Sequence, residues 1–380
     1  MFWQREILRS GVSMTFAKTY ELDLPKSGQL GSLVLYLRSN ETGAGFLTAV
    51  AWRLLDYISK IEVIGDGAEV IKSFDGRQAL ASAYFDDGVL ATSMWRHYSS
   101  TPHRQFIPIH FGRFLQDELY GLDLSRFNQV TLKITNTATA TEFTTDITLD
   151  VIAYWVREGA GAFAGYFREE EWKVWAPVAA AIEYNDLPVA LPIRRILLRN
   201  RPGVDSADAK NNSSMHRLMS DIDFTFRTGQ VRVYKGSLEQ LGHLSILELG
   251  RYAETMTHID RTDEYGYEVG VGYVQHGVVA EGSQTATPSA TSSVGSGDVQ
   301  DSAQEVRVRT VDQPLQGLWR GHGMLHNLPL WFARRPDLSD MLNPEAEKVV
   351  KLDATCQSGT TVSGTTAAAE SAIVLSRLVS

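Results

Sequence analysis

Cysteine is nearly absent. The single cysteine in 380 residues, Cys356, excludes an internal disulfide and a cysteine-based zinc site. It fits a chain folded in a reducing cytosol. No apolar run reaches the roughly 18 residues that a transmembrane helix needs. The first nine residues, Met1 to Arg9, lack the long apolar core of a secretory leader. Positive charge is not in excess: the formal net charge is -9. Gripping nucleic acid directly needs clustered Lys and Arg, so that activity is not expected. Catalytic signatures are missing as well. There is no Gly-x-Ser-x-Gly, no Gly-x-x-x-x-Gly-Lys-Ser/Thr and no His-Glu-x-x-His.

What remains is an ordinary globular composition, with 43% hydrophobic and 21% charged residues, on a chain long enough for two domains. Period-two alternation dominates. Leu33, Leu35 and Leu37 alternate with Val34, Tyr36 and Arg38. Ile61–Ile64 and Glu69–Lys72 flank the turn Gly65-Asp66-Gly67. Val130–Thr135 and Ile147–Trp155 are the clearest strands, and the loop between them predicts a hairpin. Ile193–Leu198, Phe224 with Phe226, and Val231 with Val233 continue the pattern. Val349–Leu352 and Ile373–Leu375 predict a final hairpin.

Helical signals are few. Thr48–Ser59 has an amphipathic stripe, with a strand as the competing reading. Arg77–Phe85 has Asp75 as its cap. Ser237-Leu238-Glu239-Gln240 is a capping box for a helix reaching about Leu249, and Asn343-Pro344 starts another. Trp3, Ile7 and Leu8 would share one face of an N-terminal helix. The competing readings there are a frayed tail and an arm docking on a neighbour or a lipid surface.

These elements predict an all-β fold: two tandem β-sandwiches with a few short helices. The expected division is an N-terminal arm at 1–13, a first sandwich at 14–160, a connector at 161–190 and a second sandwich at 191–380. A low-complexity Ser/Thr/Gly/Ala insertion at 280–305 is expected to be mobile. The connector is rich in aromatics, so Phe163, Trp172 and Trp175 are expected to pack between domains or subunits.

Candidate chemical residues are weak. His97, His103 and His110 have neither helical nor His-x-His spacing, so hydrogen-bonded or solvated roles are expected over metal. His322 and His326 lie among glycines and before Pro329, which argues against a chelating helix. Glu169-Glu170-Glu171, and Asp260 with Asp263 and Glu264, read as solvated charge. Gly270-Val271-Gly272 reads as a strand bulge and Cys356 as an inert thiol. No catalytic residue, cofactor or metal site is expected.

One resemblance stands out. Ile61–Ile71, the Asp75–Asp87 helix, Ile109–Arg113, Tyr120–Leu124 and Val130–Asn136 resemble the first jelly roll of double jelly-roll major capsid proteins. These belong to tailless icosahedral viruses and phages of the adenovirus-hexon lineage, membrane-containing ones included. The resemblance covers residues 15–158 best and 190–380 by layout. It implies two eight-stranded jelly rolls and a homotrimeric, pseudo-hexagonal capsomer in a virion shell. It implies synthesis in the host cytoplasm, and partners among neighbouring capsomers, penton and minor capsid proteins, and an internal lipid membrane. It would put residues 1–13, with Trp3, at the base and 281–304 on the outside. Trp3, Phe163, Trp172 and Trp175 would be subunit-interface residues, although aromatics also fill cores. Two other readings compete: a carbohydrate-binding or glycan-active β-sandwich, and another virion component such as a spike.

Overall fold

Sixteen of the alternating segments form two sets of eight strands in the computed structural model. It describes residues 2–40, 54–90, 94–97, 102–140, 143–157, 162–201, 215, 218–259, 266–268, 271–281, 305–307, 315–333, 338, 340–356 and 369–380. The first set is β1 (Phe2–Met14), β2 (Thr19–Asp23), β3 (Gln29–Asn40), β4 (Ile58–Gly65), β5 (Glu69–Phe74), β6 (Pro102–His110), β7 (Val130–Asn136) and β8 (Ile147–Arg157). The second is β9 (Tyr166–Trp175), β10 (Ile182–Asp186), β11 (Ile193–Arg201), β12 (Met219–Phe226), β13 (Val231–Ser237), β14 (Asn327–Trp331), β15 (Val350–Cys356) and β16 (Glu370–Val379).

The second set repeats the first. In the first roll the sheets run β1-β8-β3-β6 and β2-β7-β4-β5; in the second they run β9-β16-β11-β14 and β10-β15-β12-β13. Adding eight to each number converts one roll into the other. A helix follows the fifth strand in both: α1 (Gly76–Asp87) and α2 (Leu238–Leu249). Each has a complete capping box, Asp75 with Gln78 and Ser237 with Gln240, and each ends at a left-handed glycine, Gly88 or Gly250. Asp66 and Gly67, both at positive φ, make the tight turn between β4 and β5.

The β-bulges also repeat. Ile71 is the extra residue where β5 pairs with β4, and Val233 where β13 pairs with β12; each lies four residues before its helix cap. Gly31 is extra between β3 and β8, and Arg194 between β11 and β16. A bulge pins register, because a one-residue slip would turn every side chain to the other face.

Each roll closes on its own core. Leu33, Leu35 and Leu37 meet Ile61, Val63, Leu132, Leu149 and Val151 in the first. Ile196, Leu198, Phe224, Leu352, Ile373 and Leu375 fill the second. Each such side chain contributes about 1.5–3 kcal/mol by leaving water. Between α2 and β14 the chain adds Ala253–Ile259, Val271–Glu281 and Leu315–Met324, which extend the sheet beyond β14 and meet Met94–His97 from the first roll.

Several expectations change. Val130–Asn136 and Ile147–Arg157 do not form a hairpin, nor do Val350–Cys356 and Glu370–Val379; in both rolls these strands enter opposite sheets. Residues 2–14 form neither a helix nor a frayed tail. They pair antiparallel with β8 as a full edge strand, with Leu8 bulged between Ile7 and Arg9. Residues 166–175 and 182–186, expected in a connector, are β9 and β10. Leu54–Tyr57 is a single 3-10 turn and Ile58 begins β4; the rest of the Thr48–Ser59 helix lies outside the described residues. So do the insertion at 282–304 and the carboxylates Asp260, Asp263 and Glu264.

Candidate functional site

The two rolls join where β5 of the first pairs in parallel with β9 of the second, Lys72 opposite Glu169 and Ser73 opposite Glu170. α1 lies along this seam, and eleven of its twelve residues are buried. Its Gln78, Ser82 and Asp86 recur every four residues, so they share one face. That face meets charged side chains of β9 and β11.

A buried ionic network follows. Lys72 Nζ lies 2.9 Å from Glu169 Oε2. Glu169 Oε1 accepts from Ser82 Oγ and from Arg195 Nη2, each at 2.9 Å. Arg195 Nη1 lies 3.0 Å from Asp86 Oδ1, which Arg194 Nη1 also reaches at 2.9 Å. Rings cover the guanidiniums: Arg194 stacks at 5.1 Å on Phe167 and 5.2 Å on Trp331, and Arg195 at 4.9 Å on Trp331. The network continues outward. Gln78 Nε2 donates to Glu171 at 2.6 Å, Lys60 reaches the same carboxylate, and Arg199 bridges Asp75 and Glu370.

Burial opposes the charge on Glu169, yet Lys72 and Arg195 outweigh it and hold the carboxyl at about 2. Burial pushes Asp86 up against the pull of Arg194 and Arg195. It also lowers Lys72 and Arg194. Desolvating this many charges costs several kcal/mol per ion, recovered only where every partner is in place. The seam therefore specifies one mutual placement of the rolls. Among the described residues the seam is closed from solvent.

The run Glu169–Glu171 was expected to be solvated; Glu169 is instead buried at the centre of the seam. Lys72, Arg194 and Arg195 gave no functional signal in the sequence, although a charge inside an apolar strand was the available clue. His97 lies on the strand paired with Ala253–Ile259, whereas His103 and His110 lie on β6 in the other sheet. His110 bridges Ser32 Oγ and Asp87 Oδ2, each at 2.9 Å. His322, on the strand Leu315–Met324, and His326, at the turn into β14, are both buried. Among the described residues, no group of three or more His, Cys, Asp or Glu is placed to hold a metal ion. Cys356 is buried, and burial raises its thiol pKa.

The four aromatic candidates lie apart. The Trp3 ring covers Gly31, where a Cβ would stand 2.5 Å from it. Phe163, on the β8–β9 link, covers Gly121. Trp172 is 41% exposed at a bulge of β9, and the half-buried Trp175 packs on the second core. Val174, Val178, Ile182 and Tyr184 extend the exposed apolar run from Trp172 into β10.

No protein-family model and no curated protein matches the sequence. Solved structures do match over the whole chain, and they define the class: a double jelly roll of the kind found in viral major capsid proteins. The STIV major capsid protein is 10% identical, with a TM-score of 0.60 over 100% of this chain and 97% of that one. The major capsid protein from bacteriophage PM2 is 8% identical, with a TM-score of 0.54 over 100% and 98%. The capsid of the virus PBCV-1 gives 12% identity and a TM-score of 0.53 over 99% and 93%.

Proposed function

We propose that this chain is the major capsid subunit of an icosahedral virion and assembles as a homotrimer. The single observation that carries this is the duplicated roll with its ionic seam. One chain presents two like wedges, held rigidly side by side, and three such chains supply six wedges around a ring. The names of the solved structures sharing this fold support the same reading. So do the exposed apolar side chains on β1, β9, β10 and α2, since stable interfaces bury broad apolar cores.

The role is structural and needs no cofactor. The partners are further copies of the chain, penton and minor capsid proteins, and a lipid membrane beneath the shell. With a net charge of -9, the protein does not grip the genome by itself. The chain is made in the host cytoplasm and ends in the capsid. Phe163, Trp172 and Trp175 lie at or near subunit contacts, and residues 281–304 face outward.

Light scattering of the purified protein, followed by negative-stain imaging, tests the reading. The expected particle contains three chains of 42.2 kDa each and has a hexagonal outline. A monomer that never assembles, alone or with virion partners, would overturn it.

A further inference from the structure

The repeat makes one junction of this molecule a template for another. Inside the chain, β5 and α1 of the first roll are covered by β9 and β11 of the second. Among the described residues, their counterparts β13 and α2 have no such cover. β13 is the end strand of its sheet, with Val231 and Val233 exposed. Only Leu238, Leu241, Gly242 and Ser245 of α2 are buried, while Leu244 is exposed and Leu247 is 76% exposed. β1, the counterpart of β9, is also an end strand and is exposed along most of its length. Each chain thus has one unused fifth-strand face and one unused first-strand face.

The matched bulges give the register. Gly31 and Arg194 are counterparts, so Tyr154 corresponds to Ser376. Trp3, Arg5 and Glu6 on β1 then correspond to Phe167, Glu169 and Glu170 on β9. The side chains agree: Trp3 covers Gly31 as Phe167 stacks on Arg194. The bulges at Ile71 and Val233 make Tyr234 and Lys235 the counterparts of Lys72 and Ser73. Counting from the caps, Leu244 and Glu248 stand for Ser82 and Asp86.

We infer that β13 and α2 of one copy receive β1 of a second copy in the parallel arrangement that joins β5 to β9 within the chain. This places Arg5 beside Tyr234 and Glu6 beside Lys235, and it covers Leu244. The charges suit it. Glu6 meets Lys235, and Arg5 takes the place of Glu169 beside the counterparts of Lys72 and Ser82. Two end strands that would otherwise invite indiscriminate pairing are used up in a ring that closes. The inference rests on the capsomer reading and specifies its lateral contact.

A cysteine pair tests it. Register partners on neighbouring strands lie within disulfide reach, and the side chains of Glu6 and Lys235 are 44% and 62% exposed. The variant carrying Glu6→Cys and Lys235→Cys is oxidised as the full chain and run without reductant, with each single variant as control. The expected result is a covalent ladder ending at three chains, absent from both controls. In parallel, Leu244→Lys sets a cation against Arg5 and is expected to abolish the oligomer while leaving the thermal unfolding of the monomer unchanged. A stable oligomer by light scattering without the ladder, or one that tolerates Leu244→Lys, overturns the contact and leaves the capsomer reading standing. A protein that stays monomeric under all conditions removes both.

Discussion

Lys72 of the first roll and Glu169 of the second form an ion pair 2.9 Å long, closed off from solvent on both sides. Glu169 also neutralises Arg195. Removing its charge leaves the buried Lys72 without its carboxylate and Arg195 with Asp86 alone. Glu169→Gln is therefore expected to destabilise the chain by about 3–5 kcal/mol. Adding Lys72→Met should recover part of that loss, because the uncompensated ammonium goes with it. Urea unfolding of the four members of the cycle measures the coupling. Strictly additive losses would show that the pair does not hold the seam.

The same carboxylate makes stability depend on acid. The ordinary value for a glutamate here is 4.5, and Glu169 is held at about 2 in the folded chain. Between these values the unfolded chain binds the proton and the folded one does not, so stability rises with pH. The contribution is complete above about 4.5 and fades as pH falls toward 2. The stability difference between the natural chain and Glu169→Gln should shrink across that window. A difference that stays constant from neutral pH to pH 2 would exclude the linkage.

Local chemistry was legible and partnership was not. Asp75 as a cap, and the capping box Ser237 with Gln240, announced both helices because a cap is complete within four residues. The β4–β5 hairpin was legible for the same reason. Period two told which face of Val130–Asn136 or Ile147–Arg157 is buried, but it carries no information on which strand lies beside it. Hence both expected hairpins were wrong in the same way, with adjacent segments entering opposite sheets. Trp3, Ile7 and Leu8 suited a helix face until pairing with β8 decided the matter. The seam needed both rolls to be seen at once. Lys72 has its partner 97 residues away, a distance no local pattern spans.

The two helix caps should differ in weight. Asp75 accepts from Gln78 N at 2.7 Å and also holds Arg199, which is buried in the seam. Ser237 accepts from Gln240 N at 3.1 Å and bridges no other roll. Ser237→Ala should cost about 1 kcal/mol, the usual worth of a cap. Asp75→Ala should cost more, because it strips a buried guanidinium of one carboxylate as well. Thermal unfolding of the two variants compares them directly. Equal losses would mean that Arg199 is fully served by Glu370, 3.0 Å away.

Gly31 reports on the N-terminal strand. A methyl group there would stand 2.5 Å from the Trp3 ring, inside van der Waals contact, so one of the two must move. The ring belongs to an end strand paired only with β8, whereas Gly31 sits between β8 and β6 in mid-sheet. The ring is the cheaper thing to displace. Gly31→Ala should expel Trp3 and loosen Phe2–Arg5 from β8 while leaving the core of the first roll intact. Hydrogen exchange would then speed up in residues 2–5 and in few others. Trp3→Ala, which vacates the same contact without a clash, should produce a similar local pattern, and combining the two should add little. Fast exchange throughout β3 in Gly31→Ala would show instead that the sheet, and not the ring, gives way.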